Sequence, residues 1–521
     1  SMTKLTAIAF FALLATGAQA LTQQEIEAAA REAQRLTGQE QQRIDAQQER
    51  LEGDKKPSGL DLTPQSPALE RLQDADGKCI ELNRITIKDS QLIDEWELEV
   101  LEAPFLGKCI TPDLASQVLA STTNFYLTRG FITSRAYLPN QNLKQGELQV
   151  QIAEGQVAEV VVKSKQALNV ETAYEKDVDL GLNIRDLEQA VDQMNAVPGN
   201  QVVMTIQPGE QAQSSNVVFE NKGKPVVRGS FSVDNTGSAS TGAQGASVSV
   251  QTGDLLSLND VWSLSARRSL GEPEKSSRSL NLDVRVPQGL NTYGVGYSRG
   301  GFDTLLNFPQ SGAQLTSEGA NESLALSATR VIHRNQASKH TLGVKLKRDS
   351  VESYIADTKI DVNSRTLDSL ALTGESVLAF GKNVLVVGPE IAVGLSEVDS
   401  LPVGVNTPVE NPQSEYLRYK LSLDWSQPLT LGGQALRWKS RWVGQYANVP
   451  LYGSQQLIVG GAASVRGSHT ASIVGDRGYV WQNTVSMPAQ HTLGDYTVQA
   501  EYSLGYDRGH VWSERPDVYE G

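Results

Sequence analysis

The chain has 521 residues, with 60 acidic against 46 basic side chains and a formal net charge of −14. Apolar residues make up 39% and charged residues 20%, which excludes a collagen-like or wholly disordered chain. The acidic balance argues against a basic nucleic-acid binder, and no apolar run of roughly 18 residues follows the N-terminus to form a membrane-crossing helix. Glycine is abundant at 45 residues while Met and Cys number only 4 and 2, so extensive β-structure is expected.

Residues 1–20 combine Lys4, an apolar stretch from Leu5 to Ala15 and the small-x-small site Ala18-Gln19-Ala20. This is the pattern of a secretory signal peptide, so the mature chain is expected to begin at Leu21 outside the cytoplasm. Residues 21–52 are rich in Gln, Glu and Ala and predict a helix loosened at Gly38. Its apolar positions are too sparse for a core, which places it in solvent or in a wet cavity. Residues 53–77 carry Gly, Pro, Asp and Ser and read as a flexible linker.

From Cys79 the pattern becomes α/β, over 78–155 and again over 156–224. The first unit predicts a strand over 79–88, a helix from Thr111-Pro112 to Arg129 ended by Gly130, and strands over 132–138 and 147–154. The second predicts a strand over 157–163, a helix over 184–196, and strands over 201–207 and 216–220. Cys79 and Cys109 both lie in the first unit. Export and the even count favour a disulfide, with two buried free thiols as the alternative. Metal binding has little support, because no His pair accompanies the cysteines.

From 225 to the end, segment after segment alternates with period two. Leu342, Val344 and Leu346 oppose Lys345 and Lys347; Leu417, Tyr419, Leu421, Leu423 and Trp425 oppose Arg418, Lys420, Ser422 and Asp424. Charges of both signs at strand centres fit a wet lumen better than the dry core of a sandwich, so a transmembrane β-barrel is expected. Thirteen strands are predicted. Odd-to-even connections are long and even-to-odd ones short, as for external loops and periplasmic turns. Single-chain bacterial barrels have even strand numbers, so sixteen strands are expected, with about three beyond Gly521.

The longest loop carries Val465-Arg466-Gly467-Ser468, and the thirteenth strand carries Gly505-x-Asp507-x-Gly509. Strand periodicity turns Asp507 into the lumen. The flanking glycines bare the wall for a close approach, so a loop folded inward can bring Arg466 onto Asp507 as a charge-assisted pair. These motifs, their order, and the stretch from Thr123 to Tyr137 resemble the two-partner secretion transporters, the TpsB family that exports haemagglutinins, haemolysins and contact-dependent inhibition toxins. The resemblance implies a plug helix, two POTRA domains and a sixteen-stranded outer-membrane barrel. It also implies an unfolded TpsA exoprotein and outer-membrane lipid as partners, with no nucleic acid and no cofactor. Cys79 and Cys109 resemble the cysteine pair of the first POTRA in many relatives. Ser468 stands where the family usually has Tyr or Phe. Catalytic motifs of the usual hydrolase and metalloprotease kinds are absent from the sequence. A barrel-assembly factor and a diffusion porin are the alternatives within membrane barrels, and the former often carries more POTRA domains.

Overall fold

The computed structural model describes residues 79–164, 168–174, 181–308, 312–360, 364–395, 412–468, 472–494 and 496–512, with positions 29, 32–33, 35–39 and 41–43 near the N-terminus. The expected signal peptide over 1–20 and linker over 53–77 lie outside the described residues.

The first α/β module has strands β1 (Arg84–Lys88), β2 (Arg135–Tyr137) and β3 (Glu147–Ala153). Central β3 pairs in parallel with β1 and antiparallel with β2. Its alternation puts Leu148, Val150 and Ile152 against Leu114, Val118 and Tyr126 of a helix, Pro112–Thr128. The Thr111 hydroxyl accepts the Leu114 N–H at 3.1 Å and Pro112 occupies the first turn, which fixes where that helix starts. The strand expected over 79–88 is split. Residues 80–82 run beside 107–110, with Ile110 N donating to Ile80 O at 2.7 Å, and only Arg84–Lys88 joins the sheet. Cys79 and Cys109 form a disulfide across that edge. An unexpected helix, Glu95–Glu102, starts where the Glu97 carboxylate accepts the Asp94 N–H at 3.0 Å. Its acid-rich sequence hides the signal, since Leu98 and Leu101 are the apolar residues it turns to the module.

The second module has β4 (Gln156–Val162), β5 (Val202–Pro208) and β6 (Ser214–Asn221) in the order β4–β6–β5. Its helix, Ile184–Ala196, falls where the sequence predicts it, and a one-turn helix, Val170–Ala173, was not foreseen. Leu182, Ile184, Leu187, Met194, Val217 and Phe219 are fully buried between helix and sheet. The modules meet at Gly130, whose φ of +97° ends the first helix. Ile184 N donates to Gly130 O at 2.9 Å, and a Cβ on Gly130 would stand 2.3 Å from Asn183 Oδ1. One glycine therefore both stops a helix and seats the start of the next.

From Arg228 one antiparallel sheet contains thirteen consecutive neighbours. They are β7 (Arg228–Asp234), β8 (Gln244–Gly253), β9 (Val261–Leu270), β10 (Ser276–Gln288), β11 (Asn291–Asn307), β12 (Gln314–Arg334) and β13 (Ser338–Ile355). After the two-residue β14 (Thr358–Lys359), which pairs with β13, come β15 (Arg365–Phe380), β16 (Asn383–Gly394), β17 (Leu417–Leu431) and β18 (Gln434–Ala447). The loop hairpin β19 (Leu457–Val459) and β20 (Ile473–Gly475) then precedes β21 (Arg477–Leu493) and β22 (Tyr496–Trp512). The sheet ends at β7 and β22, which do not pair with each other among the described residues.

This sheet is inside-out. Leu324, Leu326, Leu342, Val344 and Leu346 are each between 45 and 49% exposed, while Ser265, Asn281, Ser317 and Ser323 are buried. In water that arrangement would leave a large apolar belt uncovered; in a bilayer it is the stable one. Aromatic pairs border the belt, with Phe380–Trp425 and His491–Tyr502 at one rim and Tyr419–Tyr446 and Trp481–Tyr506 at the other. Strands β11, β12 and β13 have 17, 21 and 18 residues, well beyond the 9–11 or so that cross a bilayer. Their ladders continue past the apolar belt through alternating polar residues, so the connections there are shorter than the hydropathy pattern suggests. The parity holds for most of the sheet but not near its start, where the odd-to-even connection 271–275 is shorter than the even-to-odd connection 254–260. Connections 289–290, 335–337, 381–382 and 432–433 are tight, while 395–416 and 448–476 are long.

The second module docks on the tight-turn rim. Gln193 Nε2 donates to Gly289 O at 2.6 Å and Gly289 N donates to Thr172 O at 2.8 Å. Asn259 Nδ2 donates to Thr172 Oγ1 at 2.8 Å. Arg334 reaches Gln189 at 2.9 Å and Asp192 at 2.7 Å, beside the buried Arg185–Glu188 pair at 2.8 Å. The modules and the short turns therefore share one side of the membrane.

Candidate functional site in the barrel lumen

Three groups of residues meet inside the barrel: the inward faces of the wall, the long loop 448–476, and the N-terminal helical residues. The loop is anchored at its base by Gln455, which lies in a one-turn 3-10 helix (Gly453–Gln455). Gln455 Nε2 donates to Asp349 Oδ2 at 2.9 Å, its Oε1 accepts from Arg418 Nη1 at 2.6 Å, and its carbonyl accepts from Gln445 Nε2 at 3.1 Å. One buried glutamine thus ties the loop to β13 and β17 through its side-chain amide and to β18 through its backbone carbonyl. On the other limb the buried Asp476 carboxylate accepts the Leu451 N–H at 2.7 Å and Gln456 Nε2 at 3.0 Å.

The loop tip is closed on itself. Gly461 N donates to Ser468 O at 2.7 Å, Ser468 N donates to Val465 O at 2.9 Å, and the Ser464 hydroxyl accepts the Gly460 N–H at 2.8 Å. These turns aim Arg466 at the wall. Its Nε donates to Asp507 Oδ2 at 2.8 Å and its Nη2 to Asp507 Oδ1 at 2.5 Å, a bidentate fork. The Arg466 backbone N–H adds a third bond to Oδ2 at 2.9 Å. The remaining guanidinium donors reach Thr484 Oγ1 at 2.9 Å and Asn483 O at 3.1 Å. Gln482 Nε2 holds the carbonyl of Ser464 at 2.7 Å.

The glycines have a steric role here. A Cβ on Gly505 would stand 2.9 Å from Arg466 Nη2, and one on Gly509 would stand 2.4 Å from Val459 Cγ1. The wall is bare on both sides of Asp507 because the loop lies against it. Val465 packs with Leu457, Val459, Val480 and Val511, while Gly467 faces open space. The structure therefore brings Val465, Arg466, Gly505, Asp507 and Gly509 together, places Ser468 in the turn that closes the tip, and leaves Cys79 and Cys109 apart in the first module. Gln455, Asp476, Gln482 and Thr484 were missed, because single polar residues in a polar-faced barrel carry no motif.

The N-terminal helical residues lie against this loop and the neighbouring wall. Gln42 Nε2 donates to Ile458 O at 2.9 Å, Asn321 Nδ2 donates to Gln41 Oε1 at 3.1 Å, and Arg35 bonds the Ser472 hydroxyl. Gly38 does not loosen the helix, since 35–39 are helical. A Cβ there would stand 2.5 Å from Gly453 O, so Gly38 is where helix and loop cross at close range. Ala29, Ala33 and Leu36 are buried. On the wall beside this helix, Arg267 grips Asp234 in a second fork, at 2.7 and 2.8 Å. Among the described residues no group of three or more His, Cys, Asp or Glu could hold a metal.

A wet, charged barrel with periplasmic modules at one rim and a helix and a folded-in loop inside it defines a polypeptide-transport pore of the outer membrane. Residues 213–520 match the family described as haemolysin secretion/activation protein ShlB/FhaC/HecB, and the chain belongs to that family. Residues 80–155 match the ShlB-type POTRA domain and 156–208 a second POTRA domain. The chain is 29% identical over 447 residues to the outer membrane transporter CdiB of Dickeya dadantii, covering 85% of this chain and 78% of the relative. It is 24% identical over 449 residues to the hemolysin transporter protein ShlB of Serratia marcescens, covering 86% and 78%. The solved structure of CdiB from Escherichia coli superposes with a TM-score of 0.76 at 25% identity, covering 96% of this chain and 90% of that one. The protein is thus an outer-membrane transporter of the TpsB family that secretes TpsA exoproteins, with its POTRA domains in the periplasm, and it is not an enzyme.

Proposed function

We propose that the chain captures an unfolded TpsA exoprotein (a haemolysin, adhesin or contact-dependent inhibition toxin) at its POTRA domains and threads it through the lumen as a monomer. Residues 1–20 direct export and are removed, 21–52 plug the pore, 53–77 tether the plug, 78–155 and 156–224 are the POTRA domains, and 225–521 form the barrel. The exposed edges of the POTRA sheets accept extended segments by β-augmentation. A tether of about 25 residues has an r.m.s. span near 25–30 Å, enough for the plug to leave its seat without being lost. The polar contacts of Gln41 and Gln42 suit such a seat, because water replaces them at little cost.

The observation that carries this reading is the Arg466–Asp507 fork across a wall bared by Gly505 and Gly509. It holds the loop inside while a chain passes beside it. The test is co-expression with the neighbouring large exoprotein gene, scored for surface export. Wild type exports, while Asp507→Ala and Arg466→Ala insert into the membrane and export poorly. Normal export by both variants would remove the proposed role of the pair.

A further inference from the structure

The register between β12 and β13 slips between Val331 and His333, so Ile332 is an extra residue on β12. A one-residue slip exchanges the two faces of a strand, and a bulge does so locally. Before the slip Val331 opposes Thr341; after it His333 opposes His340 and Arg334 opposes Lys339. The bulge thereby sends Arg334 inward to Asp192 of the second POTRA domain, at 2.7 Å. In the same step it sends His333 outward, onto the lipid face that carries Arg330, opposite Leu342, and His340.

We propose that Arg330, His333 and His340 form a binding site for the phosphate of an anionic phospholipid in the periplasmic leaflet. The three residues sit at the periplasmic end of the outward belt of Leu324, Leu326, Leu342 and Val344, beside turn 335–337, which is where acyl chains give way to headgroups. The two imidazoles are neighbours, with ring centroids 5.8 Å apart and planes tilted by 33°. His340 Nδ1 shares a hydrogen bond of 2.8 Å with Ser376 Oγ, and His333 Nε2 lies 3.2 Å from Asn335 Nδ2, so each ring keeps one nitrogen outside these bonds. Arg330 is exposed and uses Nη1 on Asn291 Oδ1 at 3.1 Å, which steadies the guanidinium while the rest of its fork matches a phosphate. The outward residues paired around the three, Asn291, Leu342 and Ser376, carry no carboxylate to compete. A single extra residue thus sets both the POTRA contact on the inner face and the headgroup clasp on the outer face.

The test is native mass spectrometry of the full chain in detergent, titrated with dioleoylphosphatidylglycerol or dioleoylphosphatidylethanolamine. Wild type retains phosphatidylglycerol preferentially. Arg330→Gln weakens that retention by about fivefold, the effect of one cation at a membrane surface, and His333→Gln with His340→Gln weakens it further. Arg348→Gln, which removes an outward charge at the other margin of the apolar belt, opposite Leu324, leaves retention unchanged. Heat-modifiable gel mobility shows that each variant has a folded barrel. Equal retention of the two lipids by wild type, or unchanged preference in the Arg330 and double-histidine variants, overturns the site. So does displacement of phosphatidylglycerol by millimolar inorganic phosphate, which would make it a free-anion site.

Discussion

The POTRA domains and the barrel obey the same burial rule with opposite signs. In the second POTRA domain Leu182, Ile184, Leu187 and Phe219 are at 0% exposure; in the barrel the comparably hidden residues are Ser265, Asn281, Ser317 and Asp476, at 0–2%. The difference lies in the solvent. Water surrounds the first region, so leucine goes in. Lipid surrounds the second and water fills it, so leucine goes out and the polar face is buried by the loop and helix that occupy the lumen. The ion pairs differ in what they join rather than in burial. A half-exposed arginine on a buried carboxylate ties two helices of one POTRA domain together at Arg129–Glu97 and seats a loop on the barrel wall at Arg466–Asp507, while the Arg267–Asp234 fork ties neighbouring parts of the wall itself.

Four substitutions sharpen that contrast. Leu187→Ala in the POTRA core costs about 4 kcal/mol by lost burial and a cavity, read as a lower unfolding midpoint of the periplasmic domain in denaturant. Cys109→Ser opens the loop closed by the disulfide and costs the periplasmic region about 3 kcal/mol, a difference that reductant reproduces in the wild type. Leu346→Arg on the lipid face costs the barrel about 2–3 kcal/mol in a bilayer folding titration, while Ser323→Ala on the lumen face changes little. If Leu346→Arg proved neutral, the outward face would not be in lipid.

The smallest effect is one of pH. The Arg129 guanidinium beside Glu97 holds that carboxyl below the usual Glu range. A depressed folded pKa stabilises above the unfolded value of about 4.3, and the gain is lost as pH falls through the lower folded value. Thermal melts of the POTRA region should therefore weaken between about pH 5 and 3 less steeply in Glu97→Gln than in wild type.

Much of this architecture is legible in the sequence, because period-two alternation and helix caps are local signals. The helix over 184–196 and the thirteen-strand order follow from them. Arg466 and Asp507 are legible as motifs, since Gly505 and Gly509 fall on the lumen side of the same alternation and mark a bared wall. What escaped was non-local. Gln455 draws its meaning from three strands far away in sequence, and Gly38 reads as a helix breaker until the loop that crosses it is in place. The bulge at Ile332 is likewise invisible, since hydropathy does not report which of two adjacent residues leaves the ladder.

On the proposed function, the exported chain uses the lumen that the helix and the loop share. Gln42→Cys with Ile458→Cys, at the contact between them, tests it most directly. In cells co-expressing the exoprotein, oxidation should lock helix to loop and stop export, reductant should restore it, and either single variant should export normally. Undiminished export with the cross-link complete would contradict passage of the exported chain through that lumen.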